Sequence, residues 1–160
     1  MTVTEAPVEE KAQERAAPGA DLAIRVGGVL VSVVATVVVT VIELELSVLR
    51  VGGVTGLFHG RLAVWEGTGA LVGLAIPVTV AANLALAWFA TTTIARSWAI
   101  GVPWALWTLL ILGAAGTKTT EGDYLLGADN WVALVMILAG SLAFAVHAYR
   151  RIMKPIKRAQ

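Results

Sequence analysis

Residues 67–95, GTGALVGLAIPVTVAANLALAWFATTTIA, and residues 97–117, SWAIGVPWALWTLLILGAAGT, decide the fold, because neither stretch contains Asp, Glu, Lys or Arg. A helix needs about 20 mainly apolar residues to cross the roughly 30 Å hydrocarbon layer of a bilayer. Both stretches meet that length, and only Arg96 separates them. The sequence therefore predicts two membrane-spanning helices joined by a very short turn.

Two more uncharged stretches, residues 26–42 and 130–149, lie on either side of this hairpin. The first is somewhat short for a span, but apolar residues on both flanks lengthen it. We therefore expect an all-α membrane protein whose four transmembrane helices form an antiparallel bundle. The predicted spans cover residues 22–46, 70–94, 98–116 and 131–149.

The overall composition agrees with a chain surrounded by lipid rather than water. Hydrophobic residues make up 58% of the chain and charged residues 14%, whereas an ordinary soluble domain is about 45–50% apolar and about 25% charged. Because lipid offers no partner to backbone polar groups, a spanning segment must be a helix or a strand of a closed barrel. Barrel strands alternate polar and apolar residues. These runs do not alternate, which favours helices.

The basic residues predict the orientation, because short cytoplasmic loops carry an excess of Lys and Arg. If both termini are cytoplasmic, that side holds Lys11, Arg15, Arg25, Arg96, Arg150, Arg151, Lys154, Lys157 and Arg158. The opposite side then holds Arg50, Arg61 and Lys118. We therefore expect a multi-pass membrane protein with both termini cytoplasmic. The basic cluster at the C-terminus would anchor to lipid headgroups, at about 1 kcal/mol per residue.

Three segments lie outside the predicted spans. Residues 1–21 are acidic on balance and contain Pro7 and Pro18, so we expect a disordered acidic cytoplasmic tail. Residues 150–160 form a basic cytoplasmic tail. Residues 47–68 mix glycine, charged and apolar residues, which predicts an outer interfacial loop with a short amphipathic helix near residues 58–65.

Small residues recur every four positions along the first predicted span, at Gly28, Ser32, Thr36 and Thr40. This spacing places them along one stripe of a helix. Small side chains let a neighbouring membrane helix approach closely. The stripe therefore predicts a helix-packing surface.

Two acids, Glu43 and Glu45, stand at the outer end of the first span. The interpretation that we favour is that this end reaches the headgroup layer, where the acids are solvated or loosely paired. The alternative is a proton or cation relay, because a carboxylate inside a membrane is costly and commonly functional.

Two other polar residues fall within the spans. Asn83 lies near the middle of the second span, where an amide commonly serves as interhelical hydrogen-bonding glue. His147 lies just inside the basic end of the fourth span and we expect it to face the cytoplasmic interface. Since neither His147 nor His59 has a ligand at suitable spacing, metal or haem ligation is disfavoured.

No pattern in the chain predicts a catalytic, cofactor or metal site. The absence of Cys removes thiolate ligands and Cys nucleophiles. Glu121, Asp123 and Asp129 match no calcium-loop spacing, so a solvated acidic turn is favoured, and a docking surface for a partner stays open. An enzyme is the least favoured class, because the spans lack the grouped polar residues that acid–base or nucleophilic chemistry needs. An aromatic and basic pattern for nucleic acid is also missing.

The second half of the chain carries a family likeness over residues 70–146. The stretches involved are Arg96-Ser97-Trp98, the span 104–116, Glu121-Gly122-Asp123-Tyr124-Leu125-Leu126, and the last span with Gly140. Together they resemble a family of small, uncharacterised four-span integral membrane proteins of actinobacteria, and residues 121–126 are the most specific element. The resemblance implies a four-helix architecture and no established activity.

Two hypotheses for function follow. The first is a non-catalytic accessory or scaffold subunit of a larger plasma-membrane complex, respiratory or cell-envelope, that contacts other membrane subunits or a second copy of itself. The observations that favour this hypothesis are the small-residue stripe and the lack of a group of residues suited to catalysis. The second is a small oligomeric transporter or channel that uses Asn83, Pro77 and the pair Glu43 and Glu45.

Overall fold

The computed structural model describes residues 18–60, 68–118, 126 and 130–153. This part of the chain is helical and contains no β-strand, and an isolated β-bridge joins Arg50 and Leu71. Its helices are α1 (Pro18–Ser47), α2 (Val51–Phe58), α3 (Ala75–Thr93), α4 (Gly101–Gly116) and α5 (Trp131–Ile152). A 3-10 turn, Ser97–Ile100, leads directly into α4.

Four segments of these helices are long and apolar enough to cross a membrane. They are Asp21–Ser47, Ala75–Thr93, Trp98–Gly116 and Trp131–Ile152. The sequence-based prediction of an all-helical protein with four potential membrane spans is therefore confirmed. Large apolar side chains such as Val34, Leu109 and Leu138 point outward from the bundle, as lipid contact requires.

Helix α1 begins at Pro18, earlier than the sequence predicts. Proline suits the first position of a helix, because its missing N–H would have no partner there. Asp21 adds a favourable charge in the first turn and forms a salt bridge of 2.7 Å with Arg25. The predicted disordered tail is thus wrong for residues 18–21, and its remainder, residues 1–17, lies outside the described residues.

The segment between α1 and α3 folds back on itself. Backbone N–H groups of Val51 and Gly52 donate to the carbonyls of Ala70 and Thr68 at 3.0 and 2.9 Å. A Cβ on Gly52 would lie 2.7 Å from the Thr68 carbonyl oxygen, so the close approach requires glycine. These bonds engage the backbone of residues 68–70 outside any helix, and α3 begins at Ala75 rather than near residue 70.

The same segment contains α2, at Val51–Phe58. The sequence places an amphipathic helix near residues 58–65, which overlaps α2 only at its end. Residues 61–67 lie outside the described part of the chain, so most of that prediction is untested. Helix α2 itself, VGGVTGLF, contains no charged residue.

The turn between α3 and α4 is as short as the sequence predicts. Ala95 adopts φ 54°, a left-handed conformation that is uncommon for a residue with a Cβ. The N–H of Ala99 then donates to the Arg96 carbonyl at 3.2 Å. This reversal connects two candidate membrane helices through only a few residues.

The core lies where α3 packs against α1 and α5 and where α1 packs against α4. Its members include Leu86, Trp107, Ile111, Met136 and Phe144. The rings of Trp107 and Phe144 are 6.1 Å apart between centroids and tilted by 56°, a favourable aromatic arrangement. Helices α4 and α5 share few contacts, which leaves a groove between them.

Helix α5 starts with a cap and ends later than the sequence predicts. The side-chain oxygen of Asn130 accepts a hydrogen bond from the Ala133 N–H at 3.0 Å, which satisfies one of the free donors of the first turn. The helix continues to Ile152, so Arg150 and Arg151 belong to its last turn rather than to a tail. Basic side chains are favourable there because they oppose the helix dipole. Lys154, Lys157 and Arg158 lie outside the described residues.

Candidate functional site

Glu43 is the central feature of the candidate site. Its side chain is fully buried, at 0% exposure. The indole N–H of Trp107 on α4 donates to Glu43 Oε2 at 2.7 Å. The interpretation that this acid is solvated in the headgroup layer is therefore wrong. Glu45 is exposed, because two positions along a helix turn the side chain by about 200° to the opposite face.

The burial of Glu43 follows from its place on the small-residue stripe. Ser32, Thr36, Thr40, Glu43 and Ser47 are spaced by four, four, three and four residues, and each is at most 1% exposed. Such spacing keeps them on one helix face. The glutamate thus continues the stripe toward the end of α1 and turns into the bundle with it.

The stripe packs inside the chain. A Cβ on Gly28 would lie 2.7 Å from Cγ2 of Thr93, at the end of α3. Thr36 and Thr40 donate their hydroxyl protons to the carbonyls of Ser32 and Thr36, each at 2.7 Å. Their hydroxyl oxygens remain acceptors. The four predicted stripe residues, Gly28, Ser32, Thr36 and Thr40, are all buried against the protein's own helices.

Helix α3 contributes a second polar face. Thr79, Asn83 and Thr91 are buried, and the spacing of four residues places Thr79 and Asn83 on one side of the helix. Thr79 is close enough to Glu43 to interact with its carboxyl group, although its hydroxyl makes no hydrogen bond of good geometry. Asn83 is 0% exposed.

Gly140 of α5 completes the arrangement. A Cβ at this position would lie 2.6 Å from Cζ2 of Trp107 and 2.8 Å from Nδ2 of Asn83. Only a residue without a side chain allows both groups to approach α5 so closely. We call Glu43, Thr79, Asn83 and Trp107, closed by Gly140, the central polar site. All four spans contribute to it.

Several polar atoms of the central polar site have no hydrogen-bond partner among the described residues. They are Oε1 of Glu43, Oγ1 of Thr79, and both Oδ1 and Nδ2 of Asn83. A buried polar group left unpaired costs about 1–3 kcal/mol, and such groups are few in native proteins. Their concentration at one place indicates a site that can bind a proton, a water molecule or a small cation.

The charge of the site is limited to one carboxyl group. In the described ranges, no three side chains of His, Cys, Asp or Glu come together in a way that could hold a metal ion. Calcium takes six to eight oxygen ligands and magnesium requires an octahedral set. One carboxyl group with a hydroxyl and an amide oxygen fits a monovalent ion or a proton better.

His147 lies apart from the central polar site, between α5 and α3. Its Nε2 is 3.2 Å from Oγ1 of Thr91, and Thr91 directs its own hydroxyl proton to the Ala87 carbonyl at 2.7 Å. The Thr91 hydroxyl and the His147 ring thus connect α3 and α5. Its half-buried ring contacts a neighbouring helix rather than only the cytoplasmic interface that the sequence suggests.

Some predicted residues are brought together and others are not. Glu43 and Asn83 enter one site, whereas Glu45 and His147 do not. Arg150 and Arg151 are exposed at the end of α5. Glu121, Asp123 and Asp129 lie outside the described residues.

Sequence reasoning missed Thr79, Trp107 and Gly140. A signal for Thr79 exists, since it precedes Asn83 by one helical turn. No local pattern marks Trp107 or Gly140, because their importance arises from contacts between helices.

Comparisons with known proteins add no relative. No protein-family model matches the chain, and no curated protein and no solved structure matches it. The assignment to an actinobacterial four-span family stays a prediction, and the functional argument depends on the geometry of the site.

Proposed function

We propose that the protein is a small transporter or channel that carries a proton or a small monovalent cation across a bacterial plasma membrane. The observation that supports this most is the complete burial of Glu43, one of whose carboxyl oxygens makes no hydrogen bond of good geometry with the described residues. Ionisable residues within membrane spans are expensive, face the bundle interior and commonly mark ion pathways or proton relays. Trp107 donates to one oxygen of Glu43, and the other oxygen makes no hydrogen bond of good geometry with the described residues.

A row of polar groups along α1 supports movement as well as binding. The buried face from Ser32 to Ser47 rises about 22 Å, at about 1.5 Å per residue. That is most of the roughly 30 Å hydrocarbon thickness. A hydrogen bond with a purely structural role requires one polar group, whereas a path for an ion requires a polar group at every turn of the helix. Four spans leave little room for a wide pore in one chain, so we expect an oligomer.

The orientation belongs to the same proposal. We expect an antiparallel bundle with both termini cytoplasmic, because Arg25, Arg96 and Arg151 then lie on the side where Lys and Arg are favoured. Arg50 and Lys118 lie on the opposite side. A topology reporter fused after Gln160 should be active only in the cytoplasm, and a signal from outside the cell would contradict this arrangement.

The test is ion flux into liposomes that contain the purified protein. Proton entry is followed with a pH-sensitive dye and sodium or potassium entry with ion-sensitive dyes, under a membrane potential. We expect flux with the natural protein and a loss of at least about tenfold with Glu43→Gln, which removes the charge and keeps an acceptor for Trp107. Glu45→Gln is the matched control, because Glu45 is exposed on the same helix.

Three results of the flux measurement would contradict part or all of this proposal. Flux that survives in Glu43→Gln would remove Glu43 from the path. Absence of flux for every ion with the natural protein would contradict the transport proposal altogether. Equal losses in Glu43→Gln and Glu45→Gln would point to a general charge effect rather than to the central polar site.

The second candidate is an accessory or scaffold subunit of a larger membrane complex, respiratory or cell-envelope. The observation in its favour is the outer face of α1, the least buried of the four candidate spans, where Leu30, Val34 and Val38 are exposed. A helix of another subunit can pack on such a face as lipid does. The actinobacterial origin is suggested by the resemblance over residues 70–146, and the host complex by analogy.

This candidate is tested in native membranes. A photo-crosslinking residue at Val34 should capture another membrane protein, and the same residue at Leu138 of α5 serves as control. Crosslinks to lipid alone at both positions, together with a lone species after gentle solubilisation, would contradict the accessory role.

A further inference from the structure

A groove runs down the outside of the bundle between α4 and α5. One part of the groove has a volume of about 290 Å³ and is lined by apolar groups together with Ser141. Trp104 and Phe144 are the largest side chains that line this part. The weak contact between α4 and α5 explains why the groove is open. Gly101, Ala145 and Ala148, which also line it, leave room in it because their side chains are small or absent.

At its other end, the groove is lined by basic as well as apolar side chains. A second part, of about 340 Å³, shares Ile100 and Ala148 with the first and is lined in addition by Thr91, Arg96 and Arg151. The two arginines come from different elements, the turn after α3 and the last turn of α5. No acidic side chain is among the residues that line this part of the groove.

We propose that this groove binds one anionic phospholipid, with the headgroup phosphate at Arg96 and Arg151 and an acyl chain along the apolar part. The chemistry of the two ends matches the two ends of such a lipid. Guanidinium groups recognise phosphate oxygens through paired hydrogen bonds. An apolar groove of this shape suits a hydrocarbon chain, and a helix of a second copy would leave the arginines without an anion.

The site is distinct from a general attraction of basic residues to the membrane. Arg150 adjoins Arg151 in the last turn of α5 and is exposed, yet it does not line the groove. Diffuse attraction would use both arginines equally. A built site uses Arg151 and Arg96 and spares Arg150.

The experiment is a lipid titration of the full-length protein in detergent, read by native mass spectrometry. The probes are palmitoyl-oleoyl phosphatidylglycerol and the matching phosphatidylcholine. We expect a one-to-one complex with the anionic lipid. In Arg96→Gln combined with Arg151→Gln its affinity should fall about 30-fold, which corresponds to about 1 kcal/mol for each arginine. Arg150→Gln should leave the affinity within about twofold of the natural value.

A second pair of variants tests the apolar part without changing charge. Ala145→Trp fills the groove and should weaken binding of the anionic lipid at least about tenfold, whereas Leu142→Trp, on an exposed part of α5 that does not line the groove, should not. Circular dichroism and a monodisperse elution profile establish that each variant is folded. If Ala145→Trp fails to fold, the arginine variants decide the proposal.

Three results would overturn the lipid site. The first is equal affinity for phosphatidylglycerol and phosphatidylcholine in the natural protein. The second is a loss with Arg150→Gln as large as that with Arg96→Gln or Arg151→Gln, which indicates diffuse attraction only. The third is a dimer that Ala145→Trp dissociates while lipid binding stays unchanged, which assigns the groove to a second copy.

Discussion

The indole ring of Trp107 occupies the space that a side chain on Gly140 would need, since a Cβ there would lie 2.6 Å from Cζ2 and 2.7 Å from Cη2 of the ring. The same ring donates its N–H to the buried carboxyl group of Glu43. The absence of a side chain at Gly140 on α5 therefore permits the position of the indole ring, whose N–H donates to Glu43 on α1. The central polar site therefore depends on packing between helices as well as on this hydrogen bond.

Replacement of Gly140 by alanine should destabilise the protein by about 1–3 kcal/mol, because overpacking in a close-packed interior forces side chains off their preferred positions. The measurement is the free energy of unfolding in mixed micelles as the denaturing detergent is increased. Gly113→Ala on α4 is the matched control, since a Cβ there meets nothing within 4 Å. Equal stability of the two variants would contradict the packing seen around Trp107.

Trp107 and Glu43 should be energetically coupled. Trp107→Phe leaves the buried Glu43 carboxyl group without its donor, which should cost about 1–3 kcal/mol in addition to the smaller ring volume. In a Glu43→Leu background that extra cost should disappear, because no acceptor remains. A double-mutant cycle of unfolding free energies measures the difference.

The control for this cycle is Trp104→Phe, one turn earlier on α4, because Trp104 is half exposed on the outside of the bundle. It should change stability little and should show no coupling to Glu43→Leu. A coupling energy near zero for Trp107 would mean that the hydrogen bond contributes nothing to the fold.

The number of membrane spans could be predicted from the sequence because hydrocarbon thickness imposes a length and excludes charge. Residues 67–95 and 97–117 satisfy both conditions without reference to any other part of the chain. The helix ends were predicted less well. The start of α3 at Ala75 depends on backbone bonds between residues 49–52 and 68–72, which no local pattern reveals.

The candidate site could be predicted only in part. Glu43 and Asn83 are conspicuous because they are polar residues in apolar runs, but the sequence does not say which way a helix is turned. The stripe of Ser32, Thr36 and Thr40 indicates which face of α1 is turned into the bundle, and Glu43 lies on the same face. The roles of Trp107 and Gly140 in the site have no local signal, because both act through contacts with residues more than 20 positions away.

Asn83→Leu should separate the structural role of the amide from a functional one. Because neither polar atom of Asn83 has a partner among the described residues, an apolar side chain of similar size should leave the free energy of unfolding unchanged or raise it by about 1–2 kcal/mol. Ion flux in liposomes should nevertheless fall, since the site loses a ligand.

Asn83→Ala is the comparison for volume, because it removes the amide and leaves a cavity that lowers stability. If Asn83 is interhelical glue, Asn83→Leu should instead destabilise the protein by about 0.6–2 kcal/mol. A stable Asn83→Leu variant with undiminished flux would exclude the amide from the transport path.

The final prediction concerns the stability of alanine variants at Gly28, on the stripe of α1, and at its neighbour Gly27. A Cβ on Gly28 would lie 2.7 Å from Cγ2 and 3.3 Å from Cβ of Thr93, whereas a Cβ on Gly27 meets nothing within 4 Å. Gly28→Ala should therefore cost about 1–3 kcal/mol of unfolding free energy, and Gly27→Ala should be neutral or slightly stabilising, because alanine favours a helix over glycine. Thr93→Ala, which removes the closest methyl group, should recover most of the loss when combined with Gly28→Ala. If the stripe instead served a partner subunit, Gly28→Ala would weaken that association, leave the isolated protein stable, and gain nothing from Thr93→Ala.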